Sequence, residues 1–162
     1  MEREKKMIKI MFVCYGNICR NPMAEFMMKK LVKDKGVENK FYIASCATST
    51  EELGNPVHRG TRAVLDRYGI SYSGKYSVRL RADDYDKYDY FIGMDENNRS
   101  TMKRMLGGDP DGKVSLLLDY TDFPRDVADP WWTGDFKATE VDVVNGTTAL
   151  YEFLAKKNGL KK

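Results

Sequence analysis

"FVCYGNICRNPMAE", residues 12–25, runs from the end of an apolar strand through Cys14 and a short polar loop to Arg20, then into a helix with Pro22 in its first turn. A cysteine at a helix N-terminus faces the positive end of the macrodipole and backbone N–H groups that lack an intrahelical partner. Its anion is favoured there, and a nearby guanidinium lowers the thiol from about 8.5 into roughly the 3.5–7.5 range. The five residues between Cys14 and Arg20 are enough to curl round a tetrahedral anion with N–H groups facing inward. Gly16 and Asn17 are the residue types that best tolerate the positive φ such turns require. Arg20 adds a planar fork for two phosphoryl oxygens. Taken singly, Cys14 reads as a small buried hydrophobe and Arg20 as a surface charge. Together with Gly16, Asn17 and Pro22 they point to a nucleophile set in a phosphate-binding loop. The nucleotide-binding patterns G-x-G-x-x-G and G-x-x-x-x-G-K-[ST] are absent, as is a redox C-x-x-C.

Outward from this junction, "IKIMFV" (8–13), "FYIASC" (41–46), "DYFIGM" (89–94) and "KVSLLL" (113–118) are apolar runs of strand length. Apolar on both sides, they read as central strands of a covered parallel sheet. Helical patterns separate them. The first carries Ala24, Met27, Met28, Leu31 and Val32 on one stripe and ends near Gly36. A second starts at Pro56, carries Val57, Thr61, Val64, Leu65 and Tyr68, and stops at Gly69. A third is capped by Asp95 or Asn97 and meets the turn "GGDPDG"; a last one spans about 136–157, with Asn145 and Gly146 weakening its middle. Strands alternating with helices predict an α/β domain with right-handed crossovers, whose ligands sit beyond the carboxyl ends of the strands. Cys14 lies at such an end.

A chain of 162 residues fits one domain, spanning 1–162. With 42% hydrophobic and 31% charged residues it matches globular averages, and neither disorder nor a membrane span is expected. The formal charge is +3, from 27 basic and 24 acidic residues, and the excess sits at the ends, "EREKK" and "KKNGLKK", as solvating tails. Without a basic stripe no nucleic-acid partner is expected. Lys9 interrupts the first apolar run and no small-residue cleavage site follows, so no signal peptide is read. Cys14, Cys19 and Cys46 cannot all pair within the chain, which predicts a reducing cytoplasm.

Phosphoryl transfer to Cys14 expels an alkoxide or phenoxide, and a positioned proton donor contributes about 10²–10⁴ in rate. His58, the single histidine, reads as a half-exposed surface residue. "RDVADPWWTG" (125–134) offers Asp126 and Asp129. Asp129 precedes Pro130, which biases it to an extended backbone. Trp131 and Trp132 are either lids over the sheet or walls of an apolar slot for an aromatic leaving group, which would raise a neighbouring carboxyl. Spacing leaves both readings open, and leaves Asp129 open between an acid and a plain turn residue.

With these elements in order, the sequence closely resembles the low-molecular-weight protein tyrosine phosphatases over nearly its full length. The residues that carry the likeness are "FVCYGNICRNPMAE", "SCATS" (45–49), "LGNP" (53–56), "MDENN" (94–98) and "DPWW" (129–132). The resemblance implies a Rossmann-like, three-layer α/β/α domain with a four-stranded parallel sheet. It also implies a two-step hydrolysis of phosphotyrosine. Cys14 as thiolate attacks phosphorus; Arg20 and the amides of Tyr15, Gly16, Asn17, Ile18, Cys19 and Arg20 hold the equatorial oxygens; Asp129 protonates the tyrosyl oxygen and then serves as base for water. No metal or other cofactor is implied. The implied partners are phosphotyrosyl proteins, a tyrosine kinase among the candidates, with inorganic phosphate as product and no nucleic acid or membrane. By the same resemblance Asn17 shapes the loop through a hydrogen bond to Ser45, and Cys19 can trap the nucleophile in a reversible disulfide under peroxide. Tyr15, Glu51, Glu52, Trp131 and Trp132 fall on the pocket wall.

Several positions depart from the family pattern. Asn21 stands for the usual serine after the arginine, with an amide able to donate to the thiolate. In "SYSGKYS" (71–77) Gly74 stands where the family often has a histidine that braces the loop, which implies a looser loop and slower turnover. Tyr15 replaces a common leucine and Glu51 a common aromatic, changing peptide preference; Trp131 and Trp132 replace tyrosines. Arsenate reductases pass their intermediate to cysteines downstream, and none follows Cys46. Protein arginine phosphatases usually have threonine where Ile18 stands. The other alternative is a phosphotyrosine-binding module without turnover, suggested by Asn21 and Gly74 and opposed by Cys14, Arg20 and Asp129.

Overall fold

Four strands, β1 (Ile8–Cys14), β2 (Phe41–Ala47), β3 (Tyr90–Gly93) and β4 (Val114–Leu116), form one sheet in the computed structural model, which describes residues 7–160. All pairings are parallel and the order is β2-β1-β3-β4. β1 is therefore central. Its side chains alternate between two apolar clusters: Ile10, Phe12 and Cys14 in one, Met11 and Val13 in the other. Such burial on both faces is what an unbroken apolar run in a parallel sheet requires.

Helices α1 (Arg20–Asp34), α2 (Arg59–Arg67) and α5 (Phe136–Asn158) gather on the first of these clusters. Helix α3 (Glu96–Met105) sends Met102 into the second, beside the 3-10 turn Ala82–Asp86 with Tyr85. The outcome is the expected α/β layering of helices about a parallel sheet. Cys14 shares its sheet face with Met23 and Ala24 of α1, so the strand delivers its terminal thiol to the start of that helix.

Two sequence expectations shift by a few residues. The second helix begins at Arg59, not Pro56: Pro56 bridges to Tyr76, and His58 caps the helix by accepting from the Gly60 N–H. The run 113–118 leaves the sheet at Leu116, because Asp119 accepts from the Leu116 N–H and folds Leu117–Tyr120 into a 3-10 turn. Helix α5 continues unbroken through Asn145 and Gly146. The glycine is there for contact, since a Cβ at 146 would collide with the Leu117 side chain. Asp95 caps α3 through the Asn98 N–H, resolving the choice between Asp95 and Asn97.

Residues 2–6 and 161–162, which hold most of the charged ends, lie outside the described residues. Among the described residues no helix is long and apolar enough to cross a membrane.

Candidate active site

Beyond the carboxyl end of β1, residues 15–19 turn back over the sheet and lead into α1. Asn17 takes the left-handed conformation, at φ 60°. Gly16, expected to share it, does not; a Cβ there would touch Glu52 at 3.4 Å, an ordinary contact. Asn17 is held from three sides. Its Nδ2 donates to Ser45 Oγ at 2.9 Å and to Asn21 Oδ1 at 3.2 Å, and its Oδ1 accepts from the Val78 N–H at 3.1 Å. Its own N–H points at the Cys14 sulfur, 3.4 Å away. The hydrogen bond to Ser45 expected from the resemblance is thus present.

Arg20 is 98% buried, and its guanidinium is oriented before any anion arrives: Nη1 donates to Asp95 Oδ2 at 2.6 Å and to the Val127 carbonyl at 2.9 Å. Nη2 is left toward the cavity, 3.5 Å from Asp129 Oδ2. Asp129 has the extended backbone that Pro130 demands and caps the short helix α4 (Pro130–Thr133) by accepting from the Trp131 N–H. Asp126, the other carboxyl of that stretch, instead accepts from the Glu96 N–H.

These groups surround one cavity of about 130 Å³. Its floor is Cys14 and the run Tyr15 to Arg20; Glu51, Glu52, Asp129, Trp131 and Trp132 make the walls. Trp131 and Trp132 are 53% and 82% exposed, which removes the reading of lids over the sheet. A wider, shallow groove of about 930 Å³ runs past Val78, Arg79 and Met105, and neither Cys14, Arg20 nor Asp129 lines it.

Residues 9–160 match the model of the low molecular weight phosphotyrosine protein phosphatase family. The chain belongs to this family. It is 36% identical over 156 residues to the low molecular weight protein-tyrosine-phosphatase YfkJ of Bacillus subtilis, covering 95% of this chain and all of that one. The crystal structure of YfkJ superposes with a TM-score of 0.90 over 94% of this chain and 98% of its own. The Streptococcus pyogenes phosphatase SP-PTP is 40% identical in structural alignment, with a TM-score of 0.80 over 93% of each chain.

Against the family pattern, two departures resolve in unexpected ways. The Asn21 amide does not donate to the Cys14 sulfur. Its Nδ2 is committed to the carbonyls of Phe12 and Cys46, at 3.0 and 2.6 Å, and its Oδ1 lies 2.8 Å from Cys14 Sγ as acceptor of the thiol proton. Gly74 leaves no side chain to brace the loop, and the neighbouring Lys75 does so instead. Its ammonium donates to the Ser45 carbonyl at 2.8 Å and sits 3.4 Å from Glu25 Oε1, the same oxygen that accepts the Ser45 hydroxyl.

The thiol itself departs from expectation. Burial pushes Cys14 up, and the opposing pull of Arg20 and of the Asn21 and Asn17 N–H groups does not overcome it. The helix terminus was expected to lower it; full removal from water costs the anion more than these donors return. Cys14, Cys19 and Cys46 are all free and buried, and burial raises Cys19 and Cys46 as well. His58 is half-buried as expected, stacked on Phe136 at 5.2 Å and edge-on to Trp131 at 5.7 Å. Lys75, Glu25 and the Arg20-orienting role of Asp95 were not read from the sequence. Only Asp95 carried any signal, as a cap inside "MDENN", and nothing local marks that its second oxygen reaches back to Arg20.

Proposed function

We propose that the chain hydrolyses phosphotyrosine in proteins through a cysteinyl-phosphate intermediate. The observation that carries this reading is the convergence of Cys14, Arg20 and Asp129 on one aromatic-walled cavity. A phosphoryl group entering it meets the sulfur below and Arg20 Nη2 at the side, with the loop N–H groups as further donors. Nη1 of the guanidinium is already fixed by Asp95 and Val127, so little reorganisation accompanies binding. The Cys14 sulfur forms a bond to phosphorus as the bond to the tyrosyl oxygen breaks, and Asp129 supplies that oxygen with its proton. A phenol of pKa about 10 leaves readily once protonated. Water, deprotonated by Asp129, then displaces the sulfur and releases inorganic phosphate. Tyr15 and the two tryptophans form the slot for the aromatic ring, and Glu51 and Glu52 meet residues flanking it. Under peroxide, Cys19 is the partner that captures Cys14 in a disulfide. The substrates belong to the class of phosphotyrosyl proteins, tyrosine kinases among them, in a cytoplasm reducing enough to keep the nucleophile free.

A phosphotyrosine-binding module without turnover is the second reading, drawing on the Asn21 oxygen that faces the sulfur. Hydrolysis of an aryl phosphate by wild type, Cys14→Ser and Asp129→Ala decides between them, with phosphoarginine as competing substrate. Loss of turnover in Cys14→Ser and strong slowing in Asp129→Ala are expected. A wild type no faster than Cys14→Ser leaves binding alone; fast phosphoarginine cleavage reassigns the substrate despite Ile18.

A further inference from the structure

Asn21 occupies a position from which it can control the proton on Cys14. Its Oδ1, 2.8 Å from the sulfur, is an acceptor with no proton to give. Facing a thiolate, that oxygen would meet negative charge with lone pairs. Turning the amide does not relieve this. The flipped oxygen would be set against the Phe12 and Cys46 carbonyls that now receive Nδ2, and the flipped NH₂ against Asn17 Nδ2, which now donates to Oδ1. Asn21 is fully buried, so the orientation is fixed by these partners.

We propose that the Asn21 side chain is a positioning group that holds Cys14 as a thiol until substrate arrives, by pinning a side-chain acceptor against the sulfur where a side-chain donor could stand. Of the other groups facing the sulfur, Arg20 at the start of α1 and the backbone N–H groups of Asn21 itself and of Asn17 favour the anion, and a substitution at 21 leaves both N–H groups in place. Asp129 from the loop before α4 opposes it, while Cys19 in the loop and Cys46 on β2 are themselves raised by burial and by the charge of Cys14. A protonated Cys14 is a poor nucleophile toward small electrophiles at neutral pH. Turnover then needs a proton transfer, a step that rests on the phosphatase reading. The S–H bond breaks as an O–H bond forms on a non-bridging oxygen of the phosphate dianion, whose second pKa is about 6. The S–P bond then forms as the P–O ester bond breaks, and the leaving oxygen takes the proton of Asp129.

The test is the pH dependence of Cys14 labelling by iodoacetamide, read by peptide mass mapping so that Cys19 and Cys46 are counted apart. The wild type is expected to show a midpoint above that of a free cysteine thiol labelled alongside it. Asn21→Ser, whose hydroxyl can turn its proton to the sulfur, is expected at least about one unit lower, with roughly tenfold faster labelling at neutral pH. Asn21→Ala, which only removes the acceptor, shifts the same way by less. A wild-type midpoint at or below that of the free thiol overturns the proposal whether or not the variants fold. An Asn21→Ser profile superimposing on the wild type overturns it too. Aryl phosphate turnover on the same samples separates the two claims: wild type that labels as expected yet hydrolyses nothing supports the thiol assignment and overturns the phosphatase reading.

Discussion

A proton donor matters in proportion to how poor the leaving group is, and this gives Asp129 its own signature at the scale of one residue. Asp129→Asn is expected to lower kcat for phenyl phosphate by about 10²–10⁴. It should slow dinitrophenyl phosphate, whose leaving group needs no proton, far less. Equal losses on both substrates, measured as kcat, exclude the acid role. Lys75 is the second residue whose contribution is separable. Its ammonium and Glu25 are both largely buried, and removing the cation leaves the Glu25 carboxylate with the Ser45 hydroxyl and with Lys29, at 2.6 Å on the half-open side. Lys75→Met is expected to cost about 1–3 kcal/mol in urea unfolding and to slow aryl phosphate turnover, with Lys75→Arg recovering part of both. A methionine variant as stable and as fast as wild type would show that Ser45 and Asn17 hold their places unaided.

Among elements, the joint between α2 and α5 carries the clearest pH dependence. Burial works against the Glu140 carboxylate of α5, but hydrogen bonds from Arg67 and Tyr68 at the end of α2 hold it below the usual range. A carboxyl lowered on folding contributes stability that is complete above its unfolded value, about 4.3, and is lost as pH falls through the folded one. Glu140→Gln is therefore expected to lower Tm by roughly 2–4 °C at neutral pH, with the gap to wild type closing toward pH 3. A gap that stays constant with acidification assigns the loss to packing. The same joint carries Gly60, where a Cβ would strike the Phe136 ring that stacks on His58, so the cap of α2, the start of α5 and the Trp131 wall are one packing unit.

In the whole molecule the cavity is assembled by β1, the start of α1, the end of β2, the segment through Lys75 and Val78, the cap of α3 and the loop before α4. An oxyanion bound there ties all of these together and stabilises the folded chain by mass action. Vanadate at about a hundredfold excess over its Kd is expected to raise Tm by roughly 5–10 °C, and Arg20→Ala to lose most of that rise. An unchanged wild-type Tm under saturating vanadate removes the site from this cavity. How much of this was legible in the chain follows from the range of each interaction. Periodicity and terminator residues act over a few positions, so the four parallel strands, the helices and the Cys14-to-Arg20 loop could be read from local order. So could the extended backbone of Asp129, which Pro130 sets from next door, whereas spacing alone left its side chain open between an acid and a turn residue. The start of α2 at Arg59 and the early end of β4 escaped, because a bridge to Tyr76 and a hydrogen bond from Leu116 to Asp119 override the pattern. What only the tertiary structure decided is the chemistry around the sulfur: which way the Asn21 amide turns, that Lys75 stands in for a side chain Gly74 lacks, and that burial outweighs the helix terminus at Cys14. Those depend on carbonyls, carboxylates and excluded water brought from distant parts of the chain, and no local pattern encodes what a folded neighbour will withhold.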